Sequence, residues 1–156
     1  MNFDQILPEL YVGSCPGNPR EIEELKARWG VTAILTLQTE EDFNSKGLDW
    51  PALAACYQAC ALEVRQVPMR DGDAEDQRRK LPEAVRTLAD LLATGHTVYL
   101  HCNAGLGRSP LVAMAYLHWC RGWPLSKALE HIRKRRPGSV PYVHLLSEGG
   151  GDPERR

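Results

Sequence analysis

Between Thr97 and Leu111 the chain reads TVYLHCNAGLGRSPL, an apolar run that passes through a glycine-rich segment into a proline-led helix pattern. No other stretch limits the fold as much. Val98, Tyr99 and Leu100 are strand formers, and a short apolar run bounded by turn residues suits a parallel strand covered on both faces. In open α/β sheets ligands gather at the carboxyl ends of the strands, which is where Cys102 falls. Asn103, Ala104, Gly105, Leu106 and Gly107 supply small or permissive positions, so successive backbone N–H groups can turn inward as a nest for an anion. Ser109 reads as the N-cap of the next helix and Pro110 as its first residue. That helix adds its positive end to the same cavity, and Arg108 is placed to grip two oxygens of a phosphate through its planar fork. The pattern predicts a cradle for a tetrahedral dianion.

Cys102 lies inside this positive field, where thiols ionise more readily, so it is the candidate nucleophile toward phosphorus. A lone cysteine after an apolar strand is more commonly a small buried hydrophobe. Here five residues separate it from an arginine, with two glycines between and a hydroxyl after, and that combination favours catalysis.

HCNAGLGRS resembles the signature of the cysteine-dependent protein tyrosine phosphatases: histidine, cysteine, five residues, arginine, then serine or threonine. More narrowly, CNAGLGR is similar to the form found in dual-specificity phosphatases that act on glucans, the group of laforin and the plant starch phosphatases. The resemblance covers Leu10 to Leu146. It implies hydrolysis of phosphomonoesters through a phosphocysteine, with no cofactor and no metal. Ser109 then corresponds to the hydroxyl that hydrogen-bonds the departing thiolate. His101 is expected to order the cradle and tune the thiolate without transferring a proton.

The acid that protonates the leaving oxygen should be a carboxyl on a mobile rim loop. The charged stretch PMRDGDAEDQRRK is read as such a loop, and its Asp71, Asp73 and Asp76 are all possible acids. The resemblance selects Asp71, because RDGDA is similar to the plant stretch arginine, aspartate, aromatic, aspartate, alanine, just ahead of a residue–leucine–proline helix. The aromatic that follows the acid in those plant enzymes is Gly72 here, and Ser45 and Lys46 stand where they carry aromatics before a glycine–aliphatic–aspartate triplet. The glucan platform is thereby thinned, and Phe43, Trp50 and Trp119 are the aromatics that could partly replace it.

Strand patterns alternate with helical ones along the chain, which predicts an α/β fold with a mostly parallel central sheet and helices on both faces. Ile6–Ser14 is read as an edge strand and Val31–Leu37 as a buried one. The polar segment Gln38–Gly47 reads as a loop on the rim shared with Cys102, either a substrate lip or a solvated connector. A helix with Pro82 near its start carries the stripe Leu81, Val85, Leu88 and Leu92. Arg133 to Arg136 end a later helix, where cations suit the dipole. A single phosphatase domain is expected over 1–148, with 149–156 as a disordered tail.

The formal net charge of −1 gives no bulk case for nucleic acid or an anionic membrane, so neither partner is expected. The opening MNFDQILPEL lacks the basic and apolar regions of a signal peptide, and a cytoplasmic setting is the expectation. Cys15, Cys56, Cys60, Cys102 and Cys120 contain no C-x-x-C pair and are read as reduced thiols. Cys56 and Cys60 share a helix face, for which packing outweighs a metal or redox pair. Three functions remain open: a phosphatase on phosphorylated glucan, a phosphatase on phosphoproteins, and a phosphate-binding module without turnover.

Overall fold

In the computed structural model, which describes residues 1–147, the apolar run before Cys102 forms the middle strand of the sheet. In chain order the elements are β1 (Phe3–Leu7), β2 (Leu10–Gly13), α1 (Pro19–Trp29), β3 (Ala33–Thr36), α2 (Glu40–Ser45), α3 (Trp50–Ala59) and β4 (Glu63–Gln66). They continue with α4 (Ala74–Ala93), β5 (Val98–His101), α5 (Arg108–Trp119), α6 (Leu125–Arg135) and α7 (His144–Ser147). The strand order is β1-β2-β5-β3-β4, antiparallel between β1 and β2 and parallel elsewhere.

Side-chain alternation decides which layer each strand residue joins. Leu10, Val12, Ala33, Leu35, Val98 and Leu100 face a core completed by α4, α5 and α6. Tyr11, Ile34 and Tyr99 point the other way, toward Ile22 and Leu25 of α1 and Leu53 and Tyr57 of α3. Helices thus cover both faces, as expected. Every residue of β2, β3 and β5 is buried, which explains why those strands read as continuous apolar runs.

Several expectations need correction. Ile6–Ser14 is not one edge strand: Pro8 and Glu9 turn the chain between β1 and β2, and β2 lies inside the sheet. Gln38–Gly47 is not a loose connector, because Thr39 and Asp42 form a capping box that starts α2. Asp73 caps α4, which therefore begins well ahead of Pro82 and carries that proline in its interior. The charges of this first turn are not all solvated, since Asp76 is buried, as is the neutral Gln77 beside it. Ser109 does not cap α5; the cap position is Gly107, with no side-chain bond. The tail expected over 149–156 lies outside the described residues.

Candidate active site

The turn from β5 into α5 sets the geometry. Among the described residues, the amides of residues 103–107 donate to no other group, while the carbonyls of residues 103–106 are held by groups from elsewhere in the chain. Cys15 N donates to Asn103 O at 2.9 Å and Val140 N to Leu106 O at 2.6 Å. Arg136 holds Gly105 O through Nε at 2.6 Å and Ala104 O through Nη2 at 3.0 Å. Gly105 has φ +75°, and a Cβ there would stand 2.2 Å from the Gly13 carbonyl carbon, so only glycine fits this crossing with β2. In a trans peptide, carbonyls held outward turn the following N–H groups the opposite way, an arrangement that suits an anion nest.

Cys102 is buried, and its Sγ lies 3.0 Å from Ser109 Oγ. Because Ser109 sits in the first turn of α5 without capping it, its hydroxyl is free to serve the sulfur. His101 is also buried, with Nδ1 3.0 Å from Cys102 O; facing a carbonyl, that nitrogen must be the protonated one. Burial pushes its pKa down to about 4, and the Arg108 charge adds to the effect, so the ring stays neutral. Its Nε2 has no partner among the described residues.

Arg108 is 2% exposed. Its Nη1 donates to Asp42 Oδ2 at 2.7 Å and to Met69 O at 2.8 Å, while its Nε is buried and unpartnered. A buried donor with nothing to bond costs stability unless a ligand supplies the acceptor. Asp71 Oδ1 lies 3.8 Å from that Nε, beyond hydrogen-bond reach, on a carboxylate 70% exposed at the mouth. A cavity of about 300 Å³ opens there, lined by Asp71, Gln77, Ala104, Leu106, Gly107, Arg108, Val140 and Tyr142.

The competing acids are committed elsewhere. Asp73 Oδ1 accepts from Asp76 N at 3.0 Å as the cap of α4. Asp76 is 4% exposed and accepts from Arg70 N at 2.8 Å and Arg79 Nη2 at 2.9 Å. Burial opposes its ionisation, but the Arg70 amide, Arg79 and Lys80 outweigh that and hold its carboxyl below the usual range. Gln77 Nε2 donates to Arg70 O at 3.0 Å, so the residue before Asp71 is pinned by α4 on both backbone groups. Asp71 alone of the three faces the cavity.

Asp42 was not singled out by sequence reasoning, although it organises the site from behind. Its Oδ1 accepts from Asn103 Nδ2 at 2.9 Å, its Oδ2 from Thr39 N at 2.8 Å and from Arg108. Burial opposes ionisation of Asp42, yet the bonds from Arg108, Thr39 and Asn103 prevail and keep its carboxyl below the ordinary range. Gln38 Nε2 donates to Asn103 Oδ1 at 2.8 Å, completing the support. The available signal was the Thr39-x-x-Asp42 capping pattern at the carboxyl end of β3.

The aromatic replacements also differ from expectation. Trp119 lies in the core, and Phe43 is buried in a stack with Trp50 at 5.0 Å. The ring at the cavity belongs to Tyr142, beside Val140 and Leu106.

Residues 10–148 match the family model described as dual specificity phosphatase, catalytic domain. The chain belongs to that family. It is 38% identical to laforin of Mus musculus over 97% of its own length and 49% of laforin's. It is 34% identical to the phosphoglucan phosphatase DSP4, amyloplastic, of Castanea sativa, over 97% of this chain and 40% of that one. The chain therefore spans about half or less of the length of these relatives. The crystal structure of Tk-PTP in the active form matches with a TM-score of 0.79 at 27% identity, covering 99% of this chain and 97% of that one.

Proposed function

We propose that this chain hydrolyses phosphomonoesters through a phosphocysteine, with phosphorylated glucan as the substrate class. One observation supports the chemistry: in the loop that follows Cys102, the amides of residues 103–107 and the buried Arg108 Nε have no partner among the described residues, which leaves donors for a phosphoryl group. The phosphoryl group of the substrate occupies the nest, its oxygens accepting from Asn103, Ala104, Gly105, Leu106 and Gly107 amides and from Arg108. Their fixed dipoles stand where charge spreads in the transition state, without reorganisation at the moment of reaction.

Cys102 thiolate attacks phosphorus, an S–P bond forms, and the ester P–O bond breaks with its electron pair going to the leaving oxygen. Protonated Asp71 at the mouth gives that oxygen its proton. Asp71, now a carboxylate, takes a proton from water as the water oxygen attacks phosphorus, and the S–P electrons return to sulfur. Ser109 Oγ, 3.0 Å away, donates to the thiolate as it departs. His101, neutral and bonded to Cys102 O, orders the backbone and transfers no proton.

Glucan is favoured by the similarity to a phosphoglucan phosphatase at 34% identity, against 26% and 29% for dual specificity protein phosphatases 2 and 5. The apolar wall of Leu106, Val140 and Tyr142 offers a surface for a sugar ring. Phosphate release from phosphorylated amylopectin or glycogen, measured beside phosphotyrosine and phosphoserine peptides, decides it. Preference for the glucan supports the assignment; faster turnover of either peptide class transfers it to protein substrates, and no release from any of them leaves a phosphate-binding module.

A further inference from the structure

Arg136 follows α6 and ends the cationic run that the sequence reading assigned to the helix dipole, yet it is 3% exposed. Its guanidinium spans two parts of the molecule. On one side Nε and Nη2 donate to Gly105 O and Ala104 O, at 2.6 and 3.0 Å. On the other, Nη1 reaches Asp4 Oδ2 at 3.0 Å and Nη2 reaches Asn2 Oδ1 at 2.7 Å. Five N–H donors in one plane are the geometry such a junction needs, and an ammonium lacks it.

In a trans peptide the C=O and the following N–H point in opposite directions. Holding Ala104 O and Gly105 O away from the cavity therefore turns the amides of Gly105 and Leu106 toward it. Gly105 is a glycine at φ +75°, a residue that rotates readily, so its peptides need an external hold. The backbone of Gly13 passes on the same side, close enough to exclude a Cβ on Gly105. Residues 2 and 4 are in turn fixed across the β1–β2 hairpin: Ser14 N donates to Asn2 O at 2.8 Å, and Asp4 is paired with Val12.

We propose that Arg136 is a positioning residue of the phosphate cradle, one that aims the Gly105 and Leu106 amides at the substrate and anchors them to the N-terminal strand through Asn2 and Asp4. It touches no reacting atom. The proposal rests on the phosphatase reading of the cradle.

The test is Arg136→Lys, read by tungstate binding to the folded protein and by kcat/KM on an aryl phosphate. With the fold retained by circular dichroism, tungstate Kd should rise about ten-fold or more, and kcat/KM should fall at least as much, because two charge-assisted bonds to the loop are lost. A folded variant with a lower thermal midpoint but unchanged tungstate Kd would show that Arg136 serves stability alone. Should Arg136→Lys fail to fold, the double variant Asn2→Ala with Asp4→Asn leaves the guanidinium in place and removes its anchors. A roughly three-fold weaker tungstate Kd is then expected, and an unchanged Kd overturns the proposal. Wild-type protein that binds no tungstate would sink the phosphatase reading itself, which separates that failure from this one.

Discussion

Replacing Asp42 by asparagine removes one charge and turns one acceptor oxygen into an N–H donor at a position where all neighbours donate. Arg108 Nη1, Asn103 Nδ2 and Thr39 N lie at 2.7, 2.9 and 2.8 Å from its two oxygens. Asparagine can satisfy the donors on one oxygen only, and because Arg108 donates to both oxygens, through Nη1 to Oδ2 and Nη2 to Oδ1, one of its N–H groups faces the amide nitrogen in either orientation. A hydrogen bond to a charged group is worth about 1.5–3 kcal/mol, and Arg108 keeps its bond to Met69 O, so the loss should lie within that range. Expressed as kcat/KM, that is about a ten- to hundred-fold decrease. The decrease should be the same for aryl and sugar phosphates, because Asp42 fixes the phosphoryl-binding guanidinium and takes no part in proton transfer. Steady-state kinetics on both substrate types, with tungstate binding as a control for the cradle, measure it. A folded Asp42→Asn variant with kcat/KM within two-fold of wild type would refute the idea that this carboxylate holds Arg108 in position.

Arg108→Lys should lose about 10²–10³-fold in kcat, since a point charge cannot replace a fork divided between Asp42, Met69 and substrate; near-normal turnover would exclude Arg108 from phosphoryl binding. Asp71→Asn should slow single turnover of sugar or serine phosphates by about 10²–10⁴-fold and of an activated aryl phosphate much less. Asp73→Asn should leave turnover unchanged and keep the α4 cap, since asparagine accepts from the Asp76 amide as aspartate does, and a leaving-group-selective loss in that variant would move the acid by two residues. His101 contributes a pH dependence of stability: unfolded it takes up a proton near its ordinary value of 6.5, while folded it resists until about 4. Stability should therefore be full above pH 6.5 and decline as pH falls toward 4, by about 3 kcal/mol at most from this group. Urea titrations of wild type and His101→Asn across that window should show a shallower slope in the variant; equal slopes would mean that His101 is not buried neutral.

The parts of the site that the sequence disclosed are those built from neighbours in the chain. Cys102, the loop to Gly107, Arg108 and Ser109 occupy one turn, and their glycines, proline and spacing carry the geometry with them. Asp42 was hidden because its partner Arg108 is 66 residues away, and because QTEEDFNSKG has the polarity of a solvated loop. Arg136 was hidden by its neighbours: Arg133, Lys134 and Arg135 carry the same charge on the exposed face of α6, and only packing against the loop distinguishes the fourth. The start of α4 was obscured by Pro82, which reads as a first-turn residue, and by acids whose role in capping and in pinning Arg70 depends on tertiary contacts. The three-layer arrangement was legible because β3 and β5 are apolar on both faces and the helices between them carry an apolar stripe.

The central claim is covalent catalysis by Cys102 in this cradle. The direct measurement is rapid acid quench of the Asp71→Asn variant with an activated aryl phosphate, followed by peptide mass spectrometry. In that variant the base for hydrolysis is missing, so the account predicts a phosphoryl group accumulating on the peptide that contains Cys102. It also predicts that Cys102→Ser forms none, turns over at less than about one part in a thousand of wild type, and still binds tungstate. Aryl phosphate turnover with no adduct on Cys102, or Cys102→Ser activity above that level, would contradict it.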